Sequence, residues 1–236
     1  LQRLAGYLNF LRMMTGQEYE RVSSQVIADG MKIPAITVRK DLAYIASGRP
    51  RVGHNREELI ETLVSLGIYY RFKVGDLYDH DGTTGIVFDI DEDGIRGKIM
   101  ALNDCQGRWS WYSNDGKIFR VRKFSENDGA VNSDIFTKES NWYKKFPAFA
   151  TCTDNGPEWY LPSINELKTI YEQRDILSQS CEKHKGEWLQ KRWDYWSSFK
   201  NQEDKAVSIN MLNGAVNYTH EQSIMYLVRP VAKFNY

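Results

Sequence analysis

Residues 34–54, PAITVRKDLAYIASGRPRVGH, decide how the start of this 236-residue chain folds. Pro34 brings a fixed φ that suits the first turn of a helix. Val38, Leu42 and Ile45 then recur within one narrow arc and face a core, which turns Ile36, Lys40, Ala43 and Ser47 outward, with Arg39 and Tyr44 on the flanks. The outer face is small, basic and aromatic. Residues 48–54, GRPRVGH, follow as a basic loop bounded by glycines.

Working outward, Leu1, Leu4, Leu8 and Leu11 recur at helical spacing and predict a first helix that stops near Gly16. Ser23 and Ser24 precede Val26, Ile27 and Ala28, so a serine caps a short second helix ending at Gly30. A tight connection over residues 31–33 leads to Pro34, and Leu59, Ile60, Leu63 and Leu66 make a closing helix. Three short helices joined by one tight turn suggest helix-turn-helix, with the loop after the third as a wing. A helix entering the major groove needs cations for phosphates and bases and small residues for close approach, and the outer face described above supplies both.

Charge and aromatic content divide the chain. The 31 basic and 31 acidic residues balance, but through residue 56 nine basic residues meet four acidic ones, and beyond it 22 meet 27. All seven tryptophans, Trp109 to Trp196, lie in the acidic part. Two domains follow, 1–67 and 75–236, with 68–74 as a short connection. Hydrophobic residues at 42% and charged ones at 26% exclude a disordered tail, and no apolar run is long enough to span a membrane as a helix. Cys105, Cys152 and Cys181 form neither a C-x-x-C pair nor a disulfide framework, which points to a reducing compartment and a cytoplasmic protein. The chain opens at Leu1 without methionine, so an upstream segment or a lost signal peptide stays open.

The order SSQVIADGM, VRKDLAYI, GRPRVGHNREEL, ETLVSLG resembles the amino-terminal winged-helix domain of the Rex family of redox-sensing transcriptional repressors, over residues 1 to about 67. The resemblance implies a homodimer on duplex DNA, with contacts from Ser24, Arg39, Lys40, Tyr44, Arg51 and His54. Two departures matter. Ile33 sits where a Ser or Thr cap is expected, a loss of roughly 0.5–2 kcal/mol for the third helix. Residues 68–236 also lack the G-x-G-x-x-G of a Rossmann domain, so NADH sensing is not inherited and no cofactor is expected. The alternative for the helical domain is a winged helix used for protein contacts alone.

The rest reads as α+β with much irregular structure. Residues 85–90, GIVFDI, and 97–102, GKIMAL, flank the turn Asp91-Glu92-Asp93-Gly94 as a hairpin. Pro162 and Ser163 open a helix with Ile164, Leu167, Ile170 and Tyr171 on one face. Residues 206–212 alternate before Asn213-Gly214, a hairpin signal, and residues 226–234 form a last strand in which Pro230 implies an edge or a bulge. With EWYLPSINELKTIY, YWSS and YLVRPVAKF, this order resembles a C-type-lectin-like domain over residues 74 to 234. The likeness is to the formylglycine-generating-enzyme branch, to Bacteroidetes proteins sharing these motifs, and to variable proteins of diversity-generating retroelements.

That second resemblance implies a ligand-binding surface for a protein or a small molecule or glycan. It draws on Phe199, Lys200, Asn201, Glu203, Asp204, Ser208, Met211, Asn217, Tyr218, His220, Glu221, Ser223, Ile224 and Met225. Aromatic and amide residues on a rigid scaffold supply contact area with adaptable hydrogen bonds; the alternative is a plain solvated edge.

Other chemistry fails on spacing. Asp89, Asp91, Asp93 and Gly94 open like an EF-hand, but the twelfth position is Met100, which cannot supply a carboxylate. Cys181 and His184 are half a zinc site, and His54, His80 and His220 are scattered. No cysteine sits in a motif that carries over the formylglycine chemistry, and no nucleophile elbow or phosphate loop is present. Trp159, Trp193 and Trp196 fit either a sugar site or core packing. The expectation is a non-catalytic regulator, a DNA-binding winged helix joined to a C-type-lectin-like module. Its alternative is an adhesin-like or retroelement-diversified protein binding a receptor through residues 193–227. An enzymatic reading survives only if a cleft in 74–236 gathers cysteines or carboxylates that linear spacing does not reveal.

Overall fold

The structure is a computed structural model that describes residues 2–14, 19–46, 53–80, 82–113, 124–138, 140–219 and 221–236. The N-terminal region holds α1 (Gln2–Met13), β1 (Arg21–Val22), α2 (Ser24–Met31), α3 (Ala35–Ala43), β2 (His54–Asn55) and α4 (Arg56–Ser65). Leu8, Leu11, Val22, Ile27, Val38, Leu42, Leu59 and Leu63 bury together as its core. Ser23 caps α2 by accepting from the Val26 amide, and the helix runs past Gly30 to Met31 because Lys32 takes the left-handed conformation, φ 54°, that ends it. Pro34 stands just outside α3 as its N-cap rather than in the first turn, and no side chain caps that helix. The Pro34 carbonyl accepts from the Thr37 amide instead. Asn55 caps α4, whose first turn carries Glu57 and Glu58.

Two expectations for the helices change. Leu66 follows α4 as its C-cap and is exposed, not part of the core. Ile45 is only half-buried, packed on the edge of the core. The stop near Gly16 and the stretch 47–52, with Ser47 and Arg51, lie outside the described residues.

The remainder is mixed helix and sheet. One antiparallel sheet has the order β11-β5-β4-β3, from β3 (Leu77–His80), β4 (Thr83–Ile90), β5 (Arg96–Met100) and β11 (Val231–Asn235). A second has the order β7-β8-β9, from β7 (Asp194–Lys200), β8 (Ala206–Asn210) and β9 (Val216–Thr219), and β6 (Trp109–Ser110) pairs with β10 (Met225–Tyr226). The helices are α5 (Gly129–Thr137), α6 (Trp142–Lys145), α7 (Pro147–Ala150), α8 (Ile164–Glu172) and α9 (Arg174–Lys183), with a 3-10 turn at Thr151–Asn155.

The apolar run of β4 reflects burial on both faces. Ile86 and Phe88 join Met100, Leu167, Ile170, Tyr195, Val207 and Val231 in one cluster, while Val87 joins Phe72, Tyr78, Ile99, Trp159 and Phe234 in another. A third cluster gathers Trp111, Phe136, Phe146, Phe149, Leu161 and Trp196, with Trp111 against Phe136 at 5.5 Å and against Phe149 at 5.1 Å. Their indole N–H groups are satisfied: Trp111 donates to the Ser197 carbonyl and Trp196 to that of Trp109. Ser163 and Glu166 form a capping box at α8. The buried Glu166 also accepts from the Gly129 amide and the Tyr160 hydroxyl and pairs with Lys98 at 3.1 Å.

Two strand expectations are corrected. Residues 226–234 do not form one strand: β10 and β11 belong to different sheets, and Pro230 lies between them, where its missing N–H costs no ladder bond. Residues 206–209 do not alternate, because both faces of β8 are covered. Between the predicted strands and helices the chain also forms α5, α6, α7 and α9, which the sequence reading does not predict. Residues 68–74 are anchored at both ends, Ile68 in the N-terminal core and Phe72 in the aromatic cluster. Tyr236 packs on both of those clusters, with the Arg12 guanidinium 4.2 Å from its ring centre. Among the described residues no helix is long and apolar enough to cross a membrane.

Candidate nucleic-acid interface

The face of α3 opposite Val38 and Leu42 is open. Ile36 is 56% exposed and Tyr44 89%, and Arg39, Lys40 and Ala43 are exposed between them. Asp41, the acid of the same helix, is turned away. It accepts from Arg3 Nε at 2.9 Å and Nη2 at 3.0 Å, and from the Tyr7 hydroxyl at 2.7 Å. The Arg3 hydrogen bond, with that of Tyr7, holds the Asp41 carboxyl below the usual carboxylate range against the opposing effect of burial. Burial and the bond to Asp41 push Tyr7 up to about 12. α1 thus neutralises the negative charge of α3 and leaves the two cations of the helix facing solvent, with no hydrogen bond or ion pair to either among the described residues. Sequence periodicity finds the face; it does not find the Arg3–Tyr7–Asp41 contact.

The other residues expected here lie nearby on the fold. Ser24 is the first residue of α2, and the cap itself is Ser23. His54 pairs with Val22 across β1 and β2, half-buried, and burial with the Arg21 charge lowers its affinity for a proton. Both causes favour the uncharged imidazole. Gly53 precedes it with φ 78°, where a Cβ would lie 2.7 Å from the Val22 carbonyl oxygen, so only glycine fits that close approach. Arg51 lies outside the described residues.

On the second surface the expected residues divide. Lys200, Ser208 and Met211 are buried and do not reach a ligand. Lys200 pairs with Asp204 at 2.8 Å, Ser208 donates to Asp194, and Met211 fills the cluster beneath β8. Phe199 and Ile224 are half-buried against the core. Asn201 shapes its own turn by accepting from the Glu203 and Lys205 amides, and Asp204 sits in that turn with φ 64°. Asn217 is exposed and donates to Asp194 at 2.7 Å. Glu203, Tyr218, Glu221, Ser223 and Met225 are exposed; His220 lies outside the described residues. Asp194, which gathers Ser208, Asn210 and Asn217, carries no signal in the linear sequence.

A cavity of about 620 Å3 lies elsewhere in this region, lined by Thr84, Asp104, Cys105, Trp109, Thr151 and Asp154 among others. Beside it Arg229 is fully buried and donates to Asp104 at 2.5 Å, and the Tyr195 hydroxyl donates to the same carboxylate at 2.7 Å. No sequence motif announces it, because its walls come from three separate segments. The candidates set aside on spacing take structural roles. Asp93 accepts from the Ile95 amide and pairs with Arg96, Asp89 pairs with Lys98, and among the described residues no three His, Cys, Asp or Glu side chains gather as for a metal. Trp159 and Trp196 are buried, while Trp193 is exposed with Arg108 over its ring.

Residues 1–43 match a family model described as "Putative DNA-binding protein N-terminus". Over 120 residues the chain is 28% identical to the redox-sensing transcriptional repressor Rex of Staphylococcus aureus, in strains JH9 and Newman alike, the match covering 42% of this chain and 55% of the relative. A solved fimbrial protein from Bacteroides ovatus ATCC 8483 is similar in fold, with a TM-score of 0.53 at 16% identity, covering 71% of this chain and 50% of that one. The chain thus spans about half the length of the proteins it matches.

Proposed function

We propose that this protein is a non-catalytic, cytoplasmic regulator whose residues 1–67 form a winged helix that binds duplex DNA as a homodimer. The observation that carries the reading is the solvent-facing Arg39, Lys40 and Tyr44 surface of α3, freed of its own acid by the Arg3–Tyr7–Asp41 contact. The family match over residues 1–43 and the likeness to Rex support it. In this reading α3 enters the major groove and the α2 N-terminus at Ser24 meets a phosphate. Residues 75–236 form a C-type-lectin-like module that binds a protein, small molecule or glycan, with Tyr218, Glu221, Ser223 and Met225 as its exposed contacts. The test is a titration of the full chain with mixed-sequence duplex DNA. Affinity falls steeply with salt, and the Arg39→Ala/Lys40→Ala variant binds about tenfold or more weakly with a shallower salt slope. Equal affinity of the variant overturns the reading.

A second reading, an adhesin-like or retroelement-diversified protein whose winged helix serves assembly, draws on the exposed Leu212, Tyr218 and Met225 and on the fold likeness to a fimbrial protein. A reverse-transcriptase gene beside a near-repeat of the DNA for residues 193–229 is the observation that selects it.

A further inference from the structure

One large apolar side chain of α3 takes no part in the interior. Val38 and Leu42 fill the N-terminal core, and Ile33, Ala35 and Ile45 pack against it. Ile36, the second residue of the helix, is 56% exposed. It stands two positions before Val38 and so points to the other side of the helix. A lone exposed isoleucine needs no explanation on most surfaces. This one heads the cationic face: Ile36, Lys40 and Ala43 follow one another at i, i+4 and i+7, with Arg39 on one flank and Tyr44 on the other. The acid of the helix, Asp41, is held away from this row by Arg3 and Tyr7. No side chain caps the N-terminus of α3, so no capping group competes for the space beside Ile36.

The chemistry of the row then narrows what Ile36 can meet. An isoleucine neither donates nor accepts a hydrogen bond, so against a phosphate or a polar base edge it only strips water. The apolar group that a base pair presents in the major groove is the C5 methyl of thymine. The first residues of a recognition helix are those that approach the base edges. Ile36 is in that first turn, and Arg39 and Lys40, one turn later, bring the charge that phosphates or guanines take up. Ala43, a turn further on, leaves room for the groove wall.

We infer, on the DNA-binding reading above, that Ile36 selects thymine. Its side chain packs on the C5 methyl of a thymine in each half-site, and the protein binds a duplex carrying that methyl more tightly than the same duplex without it. Removing one such methyl contact weakens binding about fourfold, and removing one from each half-site of a homodimer about fifteenfold.

The full wild-type chain is used to select binders from a pool of randomised DNA duplexes. A selected duplex is then resynthesised with deoxyuridine in place of thymidine, which removes the methyl and leaves base pairing unchanged. Fluorescence anisotropy gives the affinity of wild type and of Ile36→Ala for both duplexes. Wild type is expected to prefer the thymine duplex by about fourfold to fifteenfold, and Ile36→Ala to bind the two alike. The variant's salt slope stays that of wild type, because no phosphate contact is lost, and that slope also shows that its binding face is intact. Equal affinity of wild type for the two duplexes, or an Ile36→Ala variant that discriminates as wild type does, overturns the role of Ile36 and leaves the DNA-binding reading standing. A wild-type chain that enriches no duplex and binds none at low salt overturns both and gives the α3 face to a protein partner.

Discussion

The two ends of this molecule are held together differently. The N-terminal helices close over aliphatic side chains, Leu8, Leu11, Ile27, Val38, Leu42 and Leu63, contributed by short elements close in sequence. The C-terminal region depends on large rings and on polar ties that cross long stretches of chain. Trp111 hydrogen-bonds to Ser197, Arg229 to Asp104, and Glu166 to Gly129 and Lys98. A chemical face on the first kind of scaffold is one helix read at its own period; on the second it is assembled from remote segments.

The contrast can be broken most forcefully at the aromatic cluster. Trp111→Ala removes the ring on which Phe136, Phe146 and Phe149 converge and strands the Ser197 carbonyl. It is expected to cost about 3–5 kcal/mol. Urea unfolding read by tryptophan fluorescence, beside amide exchange of α1–α4, checks that the loss stays C-terminal. Equal loss of protection in α2 and α3 makes the two regions one cooperative unit.

Arg229→Met follows, because it leaves Asp104 covered and short of its cation. About 3–5 kcal/mol is the usual cost of breaking such a pair, and Asp104→Asn in the same chain should return part of it. A smaller effect, about 0.5–2 kcal/mol, is expected from Ser163→Ala at the α8 capping box, read as a lower urea midpoint.

The smallest effect sharpens the other side. Asp41 has a folded-state affinity for protons lowered below its unfolded value, so its contribution is fully present above the ordinary carboxylate pKa and is lost as pH falls through the folded value. Asp41→Asn should flatten the acid limb of stability while leaving the C-terminal region unchanged. An acid limb as steep as wild type places the sensitive carboxylate elsewhere.

The same contrast explains what could be read in advance. The Val38 and Leu42 spacing, the serine cap at Ser23, the β4–β5 hairpin and the Ser163 helix are local signals and match the structure. α5, α6 and α7 gave no such signal: they are short, and what stabilises them is burial of Phe136, Phe146 and Phe149 against partners far along the chain. Motif position places Lys200, Ser208 and Met211 on a surface, but the second layer of packing over β7 and β8 encloses them.

One ring belongs to both interiors. Tyr236 rests on the helical core beneath Arg12 and on Phe72 and Tyr70 at the rim of the sheet. The last residue of the chain thus ties the helical core to the aromatic cluster through one side chain.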